Sequence, residues 1–155
     1  MRLHLKIVRD DLTGPEVREL IREHLEHMAR DSPPGSCHAL GVDDLRKEDV
    51  TFWSAWEDNQ LVGCGALKEL SSMHGEIKSM RTVERYRGRG VASKMLDHIL
   101  AEARRRNYKR VSLETGSMNS YAPARRLYVK FGFKECQPFG DYKEDPNSAF
   151  MTMEL

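Results

Sequence analysis

Leu3–Val8 alternates apolar and polar positions with a period of two and predicts a strand, Thr51–Trp56 reads as a second strand, and Ala149–Leu155 alternates as a closing one. Between the first two, Val17, Leu20, Ile21, His24, Leu25 and Met28 recur at helical spacing and mark the buried stripe of a helix. Thr13-Gly14-Pro15-Glu16 ahead of it has the spacing of a capping box, with a proline tolerated in the first turn, so Thr13 is expected to cap the helix. Ser32-Pro33-Pro34-Gly35-Ser36 ends it and opens an irregular stretch to about Asp49. Asp58-Asn59-Gln60 reads as a turn that returns the chain as a strand over Leu61–Leu70, whose glycines weaken or bend it. A further strand is expected over about Glu76–Val83. Ala92, Met95, Leu96, Ile99 and Ala103 then mark one face of a helix. Arg110–Glu114 is a short strand with Val111 and Leu113 on one face. A helix from about Tyr121 carries Ala124, Leu127, Tyr128 and Phe131 until Gly132 stops it. The order β-α-loop-β-β-β-α-β-α-β describes an α/β (α+β) domain with a mixed sheet. Trp53 and Trp56, three apart on one strand, should face opposite sides and pack separately.

Composition narrows the classes. The 155 residues suit one domain spanning 1–155, with 39% hydrophobic and 32% charged residues, an ordinary globular balance. The net charge of +1 offers no basic excess for phosphate neutralisation, so nucleic acid is not expected as a partner. The run Arg104-Arg105-Arg106 falls in the last turn of a helix, where positive charge complements the dipole. Cys37, Cys64 and Cys136 are widely separated and show no C-x-x-C spacing, which suits small apolar side chains in a reducing compartment, with no metal expected. No apolar run approaches the ~18 residues of a membrane span, and the N-terminus lacks a signal-like stretch. A cytoplasmic protein without a membrane partner is the expectation.

The chemistry concentrates in Arg87-Gly88-Arg89-Gly90-Val91-Ala92, between a strand and a helix. The first N–H groups of a helix lack internal partners and carry partial positive charge. Glycine lets that backbone approach a ligand, and together these features make an anion cradle suited to a diphosphate. A tight turn that merely needs glycine is the plain alternative. A P-loop would require Lys and Ser or Thr after the second glycine, which Gly90-Val91-Ala92-Ser93 does not supply. A dinucleotide fingerprint, and with it an oxidoreductase, would require a third glycine where Ser93 stands, and an earlier place in the chain. Coenzyme A is the third reading.

Arg87, Gly90 and Ala92 meet the signature Gln/Arg-x-x-Gly-x-Gly/Ala of the GCN5-related N-acetyltransferases (GNAT), which the chain resembles. A second stretch, Ala124-Arg125-Arg126-Leu127-Tyr128-Val129-Lys130-Phe131-Gly132-Phe133, is similar to that family's A-x-x-L-Y-x-K-x-G-F helix and turn. The resemblance is detailed over about residues 74 to 136 and looser elsewhere. Two positions depart from the pattern: Tyr121 stands where the family often has Asn, with Asn119 close by to serve instead, and Glu84 replaces a common proline. The run Phe139–Ser148 resembles a branch of small bacterial members of unassigned acceptor.

The resemblance implies a mixed sheet splayed at the strands before and after the phosphate-loop helix, with helices on both faces. It implies acetyl-CoA as co-substrate, without a metal. Met80, Arg81 and Thr82 would offer backbone groups to the pantetheine arm. The N–H groups of Arg87, Gly88, Arg89, Gly90, Val91, Ala92 and Ser93 would hold the pyrophosphate, with Asn119 as a further contact. Acetyl transfer to a primary amine of a small molecule or amino acid would be direct, within a ternary complex. Tyr128 would protonate the departing thiolate, and Glu76 would accept the amine proton, with Glu114 and His74 as alternatives. Acceptor recognition is expected from the loop Asp31–Asp49 and the segment Asp141–Ser148. An acyl-cysteine route through Cys37-His38 conflicts with direct transfer. A non-catalytic acyl-CoA sensor and a protein-lysine acetyltransferase stay open as alternatives, and a homodimer paired through C-terminal strands is an arrangement the fold allows.

Overall fold

The structure is a computed structural model that describes residues 4–32 and 40–155. Its elements in chain order are β1 (Lys6–Arg9), α1 (Pro15–Asp31), α2 (Val42–Leu45), β2 (Val50–Glu57), β3 (Gln60–Ser71), β4 (His74–Thr82), α3 (Val91–Arg105), β5 (Arg110–Gly116), α4 (Ala122–Phe131), β6 (Lys134–Glu135) and β7 (Ser148–Glu154). The strands form a seven-stranded sheet in the order β1-β2-β3-β4-β5-β7-β6. Neighbours are antiparallel except β4 and β5, which are parallel. That parallel step needs a crossover, and α3 supplies it.

The mixed sheet and the element order agree with the expectation. The short α2 and β6, and single helical turns at Glu84–Tyr86 and Asn119–Tyr121, are additions. Two cores lie on opposite faces of the sheet. Met95, Leu96, Ile99 and Ala103 of α3 pack with Leu67, Ile77, Val111 and Leu113 on one face. Val17, Leu20 and Ile21 of α1 pack with Leu12, Leu45, Phe52 and Cys64 on the other. Trp53 belongs to the first core and Trp56 packs against the second, as their spacing requires.

The start of α1 differs from the expected capping box. Gly14, not Thr13, is the cap residue, and no side chain caps the helix. Thr13 is engaged elsewhere: its hydroxyl donates to Asp11 Oδ1 at 2.7 Å and its N–H to the same atom at 3.1 Å. A local side-chain turn has outcompeted the cap. The turn from β2 to β3 has Asp58 and Asn59 both in the left-handed region, at φ 47° and 66°. Two such residues match the twist of the flanking strands, and Asp and Asn tolerate them.

The glycines of β3 mark close approach. A Cβ on Gly65 would meet Met95 Cγ at 2.8 Å and Met80 Sδ at 2.9 Å, and one on Gly63 would meet Val91 Cγ1 at 2.9 Å. Helix α3 therefore sits down on β3 where glycine leaves room, and its first turn is held beside the end of β4.

Candidate active site

Strands β4 and β5 pair only from His74 opposite Arg110 to Ile77 opposite Leu113. Beyond that point β4 stays with β3, through Ala66 opposite Lys78 and Gly63 opposite Thr82. Meanwhile β5 stays with β7, through Glu114 opposite Phe150 and Gly116 opposite Ser148. The two central strands diverge, which is the expected splay. Its cause in β4 is a bulge: the register slips between Cys64 and Ala66, and Ser79 sits at φ 55°. An extra residue of this kind bends a strand and redirects its groups. The Cys64 thiol, pushed up to about 12 by burial, donates to the Ser79 carbonyl at 3.2 Å and ties the bulge to β3.

A cavity of about 120 Å³ fills the gap. Met80, Leu113, Ala124 and Tyr128 line it towards α3 and α4, while His24, Met28 and Tyr121 line it towards α1. Lys78, Ser79, Glu114 and Thr115 form its strand walls. The cavity thus borders both faces of the sheet.

Outside the α3 end lies the arginine-glycine loop. Gly88 and Gly90 adopt φ 76° and 87°, and Gly90 is the left-handed cap of α3 with no side-chain hydrogen bond. A Cβ at either glycine would meet nothing within 4 Å. Glycine is needed there for its dihedral, and the surface over it is open to a ligand. The first hydrogen bond into the helix is Lys94 N–H to the Gly90 carbonyl at 3.1 Å. The N–H groups of Val91, Ala92 and Ser93 precede it and face the loop end, where helix geometry leaves them for an anion. Tyr86 braces the loop: its hydroxyl donates to Gln60 Oε1 at 3.0 Å, and the Arg85 and Arg89 guanidinium groups lie 5.3 and 5.4 Å from its ring centre. Open backbone N–H groups beside these guanidinium groups suit an anion.

Tyr128 is 6% exposed, stands edge-on to Phe133 at 5.6 Å between ring centres, and borders the cavity. Burial pushes its hydroxyl well above the usual tyrosine range, so the proton stays on at neutral pH. Gly132, at φ 108°, ends α4 as expected. Asn119 lies exposed in the turn before α4 and outside the cavity wall. Arg125 holds that turn to β5, donating to the Gly116 and Met118 carbonyls at 2.6 and 3.0 Å. Tyr121 packs against Gly116, where an added Cβ would lie 2.1 Å from the ring, and its hydroxyl meets Met28 Sδ at 3.1 Å.

The three proton acceptors expected from sequence separate in space. Glu76 is 3% exposed on the α1 face of β4; it accepts from the Tyr142 hydroxyl at 2.6 Å and from Lys78 Nζ at 3.3 Å. Lys78 also donates to the Tyr142 hydroxyl at 2.8 Å. Burial, then the Glu76 carboxylate, raises the Tyr142 hydroxyl strongly. His74 lies further from the splay, with Nε2 2.7 Å from Ser112 Oγ, and burial lowers its pKa. Glu114 is the one of the three that borders the cavity.

His24 is a cavity residue that sequence reasoning passed over, because its place in the apolar stripe of α1 made it look like ordinary packing. It is 8% exposed, its Nδ1 has no hydrogen-bond partner, and burial, then Arg81 and His27, lowers it to about 4. Tyr142 was likewise hidden inside the segment Asp141–Ser148, with nothing in its spacing to link it to Glu76. Cys37 and His38, with the rest of 33–39, lie outside the described residues. Among the described residues no group of three His, Cys, Asp or Glu could hold a metal ion, and no helix is long and apolar enough to cross a membrane.

Comparison with known proteins agrees with this geometry. The profile of the Acetyltransferase (GNAT) family matches residues 15–133. The chain is 59% identical over 153 residues to the uncharacterized N-acetyltransferase YsnE of Bacillus subtilis strain 168, covering 99% of this chain and 100% of that protein. It is 51% identical over 149 residues to the uncharacterized N-acetyltransferase YedL of Escherichia coli strain K12, covering 96% and 94%. In fold it is similar to a GNAT family acetyltransferase of Elizabethkingia anophelis with acetyl-CoA bound, at a TM-score of 0.71 and 20% identity, over 97% and 98% of the two chains.

Proposed function

Because the chain belongs to the acetyltransferase (GNAT) family and is an acetyl-CoA-dependent acyltransferase, we propose that it acetylates the primary amine of a small molecule or amino acid by direct transfer in a ternary complex. The observation that carries this reading is the cavity at the splay, bordered by Tyr128 on the α4 side and by His24 and Glu114 on the other. Donor and acceptor can then meet from opposite faces of one sheet, and much of the rate gain comes from holding them in line.

The N–H groups from Arg87 to Ser93 receive the pyrophosphate of acetyl-CoA, and the backbone of Met80, Arg81 and Thr82 receives the pantetheine arm. The ammonium gives up one proton, its nitrogen bonds to the thioester carbon, and the carbon–sulfur bond breaks. The sulfur leaves as a thiolate and takes the proton of Tyr128, the one hydroxyl-bearing residue of α4, which borders the cavity. The second proton leaves nitrogen as the amide forms and restores the Tyr128 hydroxyl through solvent. Glu114 receives the amine proton by contact, since it borders the cavity. Glu76 acts from behind, fixing Lys78 and Tyr142 at the acceptor face. The C-terminal segment around Tyr142 frames the acceptor entrance.

The test is release of free thiol from acetyl-CoA across amino acids, polyamines, aminoglycosides and peptides. Turnover with at least one small amine supports the proposal. Binding of acetyl-CoA without thiol release from any amine returns the protein to an acyl-CoA sensor. A pH–rate profile separates the carboxylates: Glu114→Gln should remove the acidic limb, whereas Glu76→Gln should shift acceptor KM.

A further inference from the structure

Unmet polar groups lie at the cleft and just beside it. Among the described residues, His24 Nδ1, Ser79 Oγ and Arg81 Nε are buried without a hydrogen-bond partner. His24 and Ser79 border the cavity, and Arg81 is two residues along β4 from Ser79. A folded protein ordinarily satisfies such groups, and an exception asks for a reason such as a ligand.

Arg81 stands opposite Cys64 in the β3–β4 register, so its side chain shares the face of Cys64, which packs in the α1 core. His24 reaches the same region from α1. The charges that act on His24 are Arg81 and His27, both basic. His27 has its own carboxylate, Asp31, at 2.9 Å. Glu23 and Glu84, the acids acting on Arg81, are exposed, whereas burial and Arg87 work against the Arg81 charge. This region therefore presents buried donors and cationic potential with no inward anion among its charge partners. Across the gap, the facing strand β5 carries the Glu114 carboxylate.

We infer that the acceptor carries a carboxylate close to its amine, received by Arg81 and His24 on the α1 side while the amine faces Glu114. The inference rests on the amine-transfer reading above and narrows it to amino acids or compounds with the same pair of groups. A carboxylate offers two oxygens, one for Arg81 Nε–H and one for His24 Nδ1–H, in the tautomer that protonates Nδ1. His24 and Arg81 turn towards the ligand to complete these bonds, and in doing so relieve the burial of unpaired donors. Opposite charges across the gap then fix the orientation of the amine, which a simple alkylamine would leave loose.

The test uses the full chain with saturating acetyl-CoA and reads thiol release. Alanine, phenylalanine, glutamate and lysine are each compared with the matching amino-acid amide and decarboxylated amine. The free acid should exceed both by about tenfold or more in kcat/KM, through KM, and Arg81→Gln should bring the ratio to within about twofold, the loss of one charged hydrogen bond. His24→Asn, which can place a donor near the position of Nδ1, should keep more of the ratio than His24→Ala. Folding of each variant is checked by its thermal shift with acetyl-CoA. Equal rates for acid, amide and amine in the wild type overturn the inference while leaving amine transfer intact. So does an unchanged ratio in both Arg81→Gln and His24→Ala. Should Arg81→Gln fail to fold, the wild-type comparison decides. Absence of thiol release from every amine defeats the transfer reading, and this inference with it.

Discussion

The proposed donor and acceptor sides of the cleft are built on different plans. The donor side is a contiguous run: Arg87 to Ser93, whose two glycines take left-handed dihedrals and whose last residues open α3. Its chemistry is backbone chemistry, because a helix N-terminus offers N–H groups whatever side chains follow. The acceptor side is assembled from α1, β4, β5 and the segment before β7, and its chemistry lies in side chains such as His24, Arg81, Glu114 and Tyr142. A backbone cradle suits a co-substrate common to a whole family. A wall of side chains from distant elements can change its preference by single substitutions. Relatives on this fold can therefore share a donor and differ in acceptor.

Tyr128 is the sharpest probe, because in the proposed reaction it acts on the leaving sulfur and not on the binding of either substrate. Tyr128→Phe should lower kcat by on the order of a hundredfold while the acetyl-CoA Kd measured by calorimetry stays nearly constant. Equal turnover in the two enzymes would remove it from the mechanism.

The acceptor wall should also show in stability. His24 is held at about 4 in the fold against 6.5 as the reference, so the unfolded chain binds its proton first as pH falls. Stability from this residue is complete above about 6.5 and declines towards about 4, a loss of about 3 kcal/mol by the size of the shift. His27 and His74 are shifted the same way and add to the slope. Urea unfolding from pH 7.5 to 4 should be flatter in His24→Asn than in the wild type. A parallel pair of curves would mean that His24 is not buried neutral.

Gly90→Ala tests the donor side alone. A side chain at φ 87° is strained by about 1–2 kcal/mol, so acetyl-CoA binding should weaken about tenfold. Acceptor KM, read at saturating acetyl-CoA, should not move; a comparable change there would break the separation of the two sides.

The smallest effect is expected for Tyr142→Phe. It withdraws the hydroxyl that sits 2.6 Å from Glu76 Oε2, at a cost of about 1 kcal/mol in stability. Acceptor KM should rise with acetyl-CoA Kd unchanged. The reverse pattern would reassign the C-terminal segment to the donor side.

Much of this was legible along the chain. Helical periods located both long helices and α4, and alternation the first and last strands, since burial of one face imposes those periods directly. Gly132 as the stop of α4, and the opposed faces of Trp53 and Trp56, follow from the same reasoning. The capping box did not hold, because Asp11 competes for Thr13 over a shorter loop than the helix offers. The short α2 and β6 carry too few residues to show a period. His24 was legible only as a member of an apolar stripe, and Glu76 only as an acid near the start of a strand.

By itself the sequence pointed to the donor: the glycine pair at a strand-to-helix junction and the later helix that bears Tyr128 carry the family resemblance that implies acetyl-CoA, and the anion-holding part of that chemistry is local backbone geometry. The tertiary structure decided the acceptor side. The divergence of β4 from β5 beyond Ile77 and Leu113 sets Glu114 on the cavity wall and Glu76 beneath Tyr142. It also brings His24 near Arg81, 57 positions further along the chain (81 − 24). No period or motif encodes a meeting of that kind, because it depends on how two sheet faces and a helix settle against each other, and on which buried groups that settling leaves without a partner.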